Sequence, residues 1–262
     1  MSLAFLCPGQ GSQKIGMGQD IFENSDLAKS HFETANDILG VDIQDIMFNG
    51  PDETLKQTQY TQPALYIVAV TIGLLLIEKG IKPDCAAGHS LGEYSAYALS
   101  GAFDFETGLQ LVNVRAKSMK NAGTEHPGTM AAIIGLDNEM VENIAKNVSG
   151  TVVAANYNAP GQVVISGTID AVNSAMTTAK ENGARMVIPL NVSGAFHSPL
   201  MTNARGNLAE MIDSIKIRDT IMPVYSNVSA NPITLADDIR SAMLNQLESP
   251  VLWSQIIPNM SQ

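Results

Sequence analysis

The sequence predicts an α/β protein, with a body built on a mostly parallel sheet and a small subdomain inserted into it. Two observations predict this class. Short apolar strands alternate with helical stretches in the first half of the chain, and the order of the elements changes in the middle. Alternating strands and helices imply a parallel sheet covered on both faces. The chain has 262 residues, of which 45% are hydrophobic and 16% charged, so it is long and apolar enough to bury a core.

The predicted elements of the body lie in two stretches of the chain. The first stretch alternates strands and helices at residues 3–7, 27–39, 63–79, 85–88, 91–99 and 105–121. The second adds a helix, a strand and a helix at residues 199–215, 223–227 and 237–247. We therefore expect a catalytic body formed by residues 1–127 and 192–262.

The middle of the chain has a different pattern. Strands are predicted at residues 129–134, 151–155, 163–167 and 185–189, with helices at 138–147 and 169–182. The order β-α-β-β-α-β is that of a ferredoxin-like unit, so residues 128–191 are predicted to form a separate small subdomain. We expect a ligand to bind in the cleft between this subdomain and the body.

Charge and hydropathy exclude several classes of protein. The formal net charge of −11 argues against nucleic-acid binding, which needs a concentrated basic face. The longest apolar stretch, residues 64–77, has 14 residues, whereas a membrane span needs about 20, so it is interpreted as a buried helix. Cys7 and Cys85 are interpreted as buried thiols, without a disulfide or a metal site. We expect a cytoplasmic monomer that binds neither membranes nor nucleic acid.

Residues 88–92, Gly-His-Ser-Leu-Gly, contain a candidate nucleophile. They follow a predicted strand and open a helix, which is the context of the G-x-S-x-G elbow of α/β hydrolases. In such a turn Ser90 is exposed at a helix N-terminus, and the backbone N–H of Leu91 faces the oxyanion that forms on an attacked carbonyl. The body is therefore expected to be hydrolase-like.

A serine nucleophile needs a base, and the chain contains four histidines. His31 and His126 are predicted to lie on the surface, and His89 to support the turn beside Ser90. His197 lies in a loop, just before a helix whose start is marked by a proline. We therefore predict His197 to be the base.

Six segments in this order resemble the malonyl-CoA:acyl carrier protein transacylase family, which is related to the acyltransferase domains of fatty acid and polyketide synthases. They are residues 8–13 (Pro-Gly-Gln-Gly-Ser-Gln), 88–93 (Gly-His-Ser-Leu-Gly-Glu), Arg115, 156–162 (Asn-Tyr-Asn-Ala-Pro-Gly-Gln), 194–198 (Gly-Ala-Phe-His-Ser) and 246–251 (Gln-Leu-Glu-Ser-Pro-Val). The resemblance covers nearly the whole chain.

The resemblance implies a Ser–His dyad. Ser90 would be the nucleophile that becomes malonylated, and His197 the base that later protonates the leaving thiolate. The backbone N–H groups of Gln10 and Leu91 would form the oxyanion hole, and Gln246 would orient the histidine through its main-chain carbonyl. The resemblance also implies a set of substrate-binding residues: Gln10, Leu91, Arg115, Met119, Asn156, Asn158 and Phe196.

The chemistry of Arg115 agrees with its implied role. Its planar fork matches a carboxylate with two hydrogen bonds, which a lysine cannot do. A buried arginine without an anion would be costly, so Arg115 is predicted to bind the free carboxylate of a malonyl group. Phe196 and Leu91 resemble the malonyl-selective members of the family. Because one methyl group is worth about 1–3 kcal/mol in an apolar pocket, selectivity against methylmalonyl is expected to be incomplete.

The implied substrates are malonyl-CoA and an acyl carrier protein, and no cofactor or metal is predicted. Both substrates are anionic, so a local basic patch must overcome the repulsion of the whole chain. The candidates are Arg115, Lys117, Lys120, Lys180, Arg185 and Arg205. Two alternatives are a serine hydrolase or thioesterase, because Asp170 leaves the order Ser…Asp…His open, and a non-catalytic module that docks the carrier protein.

Relatives continue beyond residues 250–253 into a further strand, a Gly-Pro-Gly turn and a helix, whereas this sequence ends at residue 262. We therefore expect either a fragment of a longer protein or a protein that lacks the last sheet element. Losing that element would leave a sheet edge less protected. Both fatty acid and polyketide synthesis use such a loading step, so the sequence leaves the pathway open.

Overall fold

A computed structural model describes residues 3–261 and divides them into two compact units. The first unit comprises the described residues up to Lys117 together with Glu210–Ser226 and Pro232–Ser241. The second comprises Ser118–Ala209, Asn227–Asn231 and the described residues from Ala242 onward. Residues 1, 2 and 262, which the predicted body includes, lie outside the described residues.

The strands are, in chain order, β1 (Ala4–Cys7), β2 (Cys85–Gly88), β3 (Gly128–Ile134), β4 (Val152–Ala159), β5 (Gln162–Thr168), β6 (Met186–Pro189), β7 (Val224–Tyr225) and β8 (Pro232–Ile233). The helices are α1 (Gln19–Asn24), α2 (Asp26–Leu39), α3 (Ile43–Phe48), α4 (Asp52–Leu55), α5 (Thr58–Glu78), α6 (Gly92–Leu99), α7 (Phe105–Glu125), α8 (Asn138–Asn147), α9 (Ile169–Glu181), α10 (Thr202–Ser214), α11 (Ala236–Gln246) and α12 (Trp253–Asn259). A short 3-10 helix, Pro199–Met201, precedes α10.

The first unit contains a four-stranded sheet in the order β1-β2-β7-β8. β1, β2 and β7 are parallel, and only β8 runs antiparallel to its neighbour. β2 is built from small residues, Cys-Ala-Ala-Gly, which let α6 and β1 approach it closely. The predicted body with a mostly parallel sheet is confirmed.

The second unit contains an antiparallel sheet in the order β4-β5-β3-β6. α8 and α9 pack on it, and their apolar residues share one core with the sheet. The element order and the strand order are those of a ferredoxin-like unit, so this part of the fold class is confirmed. Asp137 starts α8 by accepting a hydrogen bond from the N–H of Met140 at 2.7 Å, which is typical of an N-cap aspartate.

The second unit is larger than the predicted subdomain of residues 128–191, because flanking segments pack on its sheet. Val251 forms a parallel bridge with Asn156 on β4, and its carbonyl accepts the N–H of Tyr157 at 2.9 Å. A Cβ on Gly123 would lie 2.1 Å from the carbonyl oxygen of Ser193, so these two segments also touch. Backbone pairing of this kind between distant segments leaves no trace in hydrophobic periodicity.

Several predicted boundaries differ from the structure. α5 begins at Thr58, so Pro63 lies inside the helix instead of near its start, and α7 continues to Glu125. The predicted helix over 199–215 is divided into the 3-10 helix and α10. The short elements α1, α3, α4, β8 and α12 were not predicted. The four helices among them have 4–7 residues, too few for a long apolar periodicity. α1 and α3 are held to α2 by Phe22, Phe32 and Phe48, whose ring centroids lie 5.4–5.6 Å apart.

Within the described residues, α5 is long and apolar enough to cross a membrane by length and composition alone. More than half of its most apolar window, 56%, is buried inside the protein. The core helix of a globular domain has the same properties, so the finding favours neither location by itself.

Candidate active site

Ser90 stands in the turn between β2 and α6, in the left-handed conformation with φ of 51°. Two close backbone contacts make this turn possible. A Cβ on Gly88 would lie 1.8 Å from the carbonyl carbon of Gly92, and a Cβ on Gly92 would lie 2.2 Å from the carbonyl oxygen of Cys7. The predicted elbow is therefore present, and sterics require both of its glycines. Its serine is half-buried at the N-terminus of α6.

The glycine-rich loop after β1 lies against this elbow. β1 and β2 are parallel and pair Cys7 with Gly88, so the loop and the elbow leave the same end of the sheet. A Cβ on Gly9 would come within 2.5 Å of the carbonyl oxygen of His89 and 3.1 Å of its Nδ1. Gln10, implied to be an oxyanion-hole residue, follows Gly9 and donates from Nε2 to Thr58 Oγ1 at 3.4 Å.

Arg115 is fully buried and forms hydrogen bonds at both ends of its guanidinium fork. Nη2 donates to Ser90 Oγ at 3.0 Å, and Nη1 donates to Gln62 Oε1 at 2.7 Å. Its guanidinium carbon lies 5.3 Å from the centroid of the Tyr94 ring, within the range of a cation–π contact. The first unit therefore places a buried cation directly at the candidate nucleophile.

The surroundings of Arg115 contain residues that the sequence reasoning missed. Burial lowers the pKa of Arg115, while Tyr94 and Glu93 act in the opposite direction and raise it. Glu93 is fully buried and accepts a hydrogen bond from the Tyr97 hydroxyl at 2.8 Å. Gln62 is a buried amide directly before the long apolar stretch of α5, and a polar residue at that place was the available signal for it.

His197 is buried in the second unit and has a positive φ of 55°. Its Nδ1 lies 2.9 Å from the carbonyl oxygen of Gln246 and 3.1 Å from that of Ser249. Carbonyl oxygens only accept, so Nδ1 carries the proton, and in the neutral ring Nε2 is the basic nitrogen. The expected contact with Gln246 is present, and Ser249 is a second acceptor that the sequence did not indicate.

The remaining predicted binding residues of the second unit lie on β4, on α7 and beside His197. Asn156 is buried and Asn158 half-buried on β4, which continues through a segment where no strand was predicted. Phe196 and Met119 are buried. The binding roles of these four residues stay predictions.

The prediction for His31 was wrong, whereas that for His126 was right. His31 is buried, stacks on Phe105 with ring centroids 3.8 Å apart, and has Nδ1 2.9 Å from Thr71 Oγ1. Burial lowers its pKa to about 4. His31 was predicted on the surface because its neighbours in sequence are polar. An amphipathic helix can bury one face while its opposite face carries polar residues. His126 is exposed.

The two cysteines and the candidate basic residues are only partly as predicted. Cys7 is buried, whereas Cys85 is half-buried, and both thiols are free. Arg115 is buried and so belongs to no surface patch, but the other five candidates are exposed: Lys117, Lys120, Lys180, Arg185 and Arg205. Arg205 forms an ion pair with Glu248 at 3.3 Å. Among the described residues, no group of three or more His, Cys, Asp or Glu side chains could hold a metal ion.

Comparison with known proteins identifies the family. The model of the acyl transferase domain family matches residues 4–260. The malonyl CoA-acyl carrier protein transacylase of Bacillus subtilis (strain 168) is 43% identical over 258 residues, which cover 97% of this chain and 81% of that protein. The chain belongs to the malonyl-CoA–acyl carrier protein transacylase family.

Solved structures of transacylases have the same fold. The malonyl CoA-acyl carrier protein transacylase of Coxiella burnetii superposes with a TM-score of 0.96 at 39% identity, covering all of this chain and 84% of that one. A second similar structure is a malonyl-transacylase in complex with its type II polyketide synthase acyl-carrier protein. It has a TM-score of 0.95 at 39% identity and covers 100% of this chain and 85% of that one.

Proposed function

We propose that this chain transfers a malonyl group from coenzyme A to the phosphopantetheine thiol of an acyl carrier protein. Its membership of the transacylase family supports this activity, as do relatives named for it at about 40% identity. The geometry of the first unit supports an acyl group that carries a carboxylate. No metal or cofactor takes part in the proposed reaction.

The first half-reaction forms a malonyl-serine ester. Ser90 Oγ attacks the thioester carbonyl while its proton passes to Nε2 of His197. The backbone N–H groups of Gln10 and Leu91 stabilise the oxyanion of the tetrahedral intermediate. The C–S bond then breaks, and the coenzyme A sulfur takes the proton from the imidazolium.

The second half-reaction runs the same path in reverse. The phosphopantetheine thiol gives its proton to His197, and its sulfur attacks the carbonyl of the malonyl-serine ester. The bond between the carbonyl carbon and Ser90 Oγ breaks, and Oγ takes the proton back. Two half-reactions through one acyl-enzyme predict ping-pong kinetics.

One observation carries the choice of substrate: the buried guanidinium of Arg115 donates to Ser90 Oγ at 3.0 Å. A cation at this position favours an acyl group with a negative charge at its far end, because the site has already removed water from the guanidinium. A site for neutral esters would gain nothing from it. The hydrolase alternative is disfavoured for the same reason.

The proposal is tested by incubating the protein with malonyl-CoA, methylmalonyl-CoA or acetyl-CoA and measuring its intact mass. We expect a malonyl adduct on the wild-type protein, transfer of that group to added holo acyl carrier protein, and no adduct on Ser90→Ala. An adduct that persists on Ser90→Ala would contradict the assignment of the nucleophile. Rapid turnover of simple esters by water would favour the hydrolase, and carrier binding without transfer would favour the docking module.

A further inference from the structure

We propose that Gln62 is a positioning residue that makes the enzyme selective for charged acyl groups, because it holds Arg115 through a neutral acceptor. The inference rests on the proposed malonyl transfer. It concerns how one side chain on α5 controls the orientation and the available charge of a guanidinium on α7.

The geometry fixes the guanidinium at two points. Gln62 Oε1 accepts from Nη1 at 2.7 Å, and Ser90 Oγ accepts from Nη2 at 3.0 Å. Gln62 and Arg115 are both buried, with 1% and 0% of their surfaces exposed. A planar group held at both terminal nitrogens cannot rotate away from the nucleophile, so its orientation is set before any substrate arrives.

The partner at Nη1 is an amide, and this matters because an amide carries no net charge. A carboxylate in the same place would form a charge-assisted pair with the guanidinium and cancel much of its field. It would also repel the carboxylate of an incoming malonyl group, in a buried site where charges are poorly screened. Gln62 therefore orients Arg115 without neutralising the positive charge that binds the carboxylate of the substrate.

The cost of burying Gln62 supports a functional role. Gln62 lies on the buried part of α5 next to Pro63, Ala64 and Leu65. A buried polar side chain in such a helix is unfavourable unless a partner compensates for the lost water. An apolar residue would pack at this position at less cost if the helix served only the core.

The test compares two substitutions of nearly the same shape, Gln62→Glu and Gln62→Met, with the control Gln57→Glu. Glutamate keeps an acceptor but adds a charge, whereas methionine removes the acceptor without adding charge. Gln57 is exposed and directly precedes α5, so its change adds the same charge at a position in contact with solvent. Ser90 acylation is measured by intact mass in single turnovers, with malonyl-CoA and acetyl-CoA at several concentrations, and melting temperatures are recorded for each variant.

We expect Gln62→Glu to lower the ratio of malonyl to acetyl acylation by about tenfold or more, because the added carboxylate pairs with the guanidinium and repels the carboxylate of malonyl-CoA. Gln62→Met should raise the malonyl-CoA concentration needed for half-maximal acylation and change the ratio less. Gln57→Glu should leave the ratio unchanged.

The outcomes separate the inference from the function on which it rests. A wild-type protein that forms no malonyl adduct would contradict the proposed function, whatever the variants do. A malonylated wild type with an unchanged malonyl-to-acetyl ratio in folded Gln62→Glu would overturn the inference alone. If Gln62→Glu does not fold, Gln62→Met decides. The inference would be overturned if this variant needed the same malonyl-CoA concentration as the wild type for half-maximal acylation.

Discussion

The two compact units hold their reactive side chains in the same uncommon backbone conformation but in opposite electrostatic surroundings. Ser90 and His197 have φ values of 51° and 55°. Residues other than glycine rarely adopt this backbone region, and it often marks functional sites. Ser90 accepts a hydrogen bond from a buried cation, whereas His197 donates to two uncharged main-chain carbonyls. Under the proposed function, the difference teaches that substrate charge is recognised in the first unit, while the proton carrier in the second unit is oriented by main-chain carbonyls.

The largest effect is expected from the second unit. His197→Ala removes the proposed base, so acylation by malonyl-CoA and by acetyl-CoA should fall together by about 10²–10⁴-fold. Single-turnover acylation followed by mass spectrometry measures both. His126→Ala, an exposed histidine in the same unit, is the control and should keep the wild-type rates. A loss restricted to malonyl-CoA would mean that His197 recognises the substrate instead of moving a proton.

Arg115→Ala tests the first unit and should separate the two substrates. Malonyl acylation is expected to fall by about 10²-fold, because the guanidinium–carboxylate pair is lost, whereas acetyl acylation should fall much less. Lys117→Ala, which removes an exposed cation from the same helix, should leave the ratio of the two rates unchanged. Equal losses for both acyl groups would make Arg115 a structural residue, and the comparison between the units would then fail.

Backbone substitutions sharpen the comparison between the tightly packed elbow and an open position. Gly88→Ala places a Cβ 1.8 Å from Gly92, so we expect a loss of about 2 kcal/mol or more in the free energy of unfolding. Gly206→Ala on α10 meets no atom within 4 Å and should stabilise the protein by about 0.5–1 kcal/mol. Denaturant unfolding measures both changes. An unchanged free energy of unfolding in Gly88→Ala would show that the backbone of the elbow can shift to accept the added methyl group.

The last effect concerns His31, the buried histidine of the first unit, and depends on pH. Its pKa is lowered to about 4 in the folded protein, against 6.5 as its ordinary value, so the unfolded chain binds the proton more tightly. Its contribution to stability is therefore complete above about pH 6.5 and is lost as the pH falls towards 4. The loss should be about 1–3 kcal/mol and should disappear in His31→Gln. Melting temperatures that fall equally in both proteins over this range would contradict the prediction.

The sequence predicted the parts of the site that depend on local geometry. The elbow at Ser90 was predictable because two glycines around a serine, between a strand and a helix, allow only a few turns. The resemblance also indicated the main-chain contact between Gln246 and His197, 49 residues apart.

The predicted cytoplasmic location, the monomeric state and the absence of nucleic-acid and membrane partners stay predictions.

The residues whose burial was predicted wrongly or was missed lie on helix faces that other parts of the chain cover. His31 lies among polar residues in sequence, yet α2 turns it onto Phe105 and Thr71. Gln62 and Glu93 are polar, and no periodicity shows that a helix will bury them beside Arg115. Their environment comes from contacts between residues far apart in the chain, which local patterns do not contain.

The sequence by itself determined the α/β class, the ferredoxin-like unit, the turn that carries Ser90 and the family to which the chain belongs. These follow from periodicity, from glycine spacing and from ordered motifs, all of which are local properties of the chain. Only the tertiary structure decided that Arg115 is buried between Gln62 and Ser90, and that Nδ1 of His197 faces two carbonyls. Burial and hydrogen-bond partners arise from the packing of distant segments, and they set the charge and the proton position on which the proposed chemistry depends.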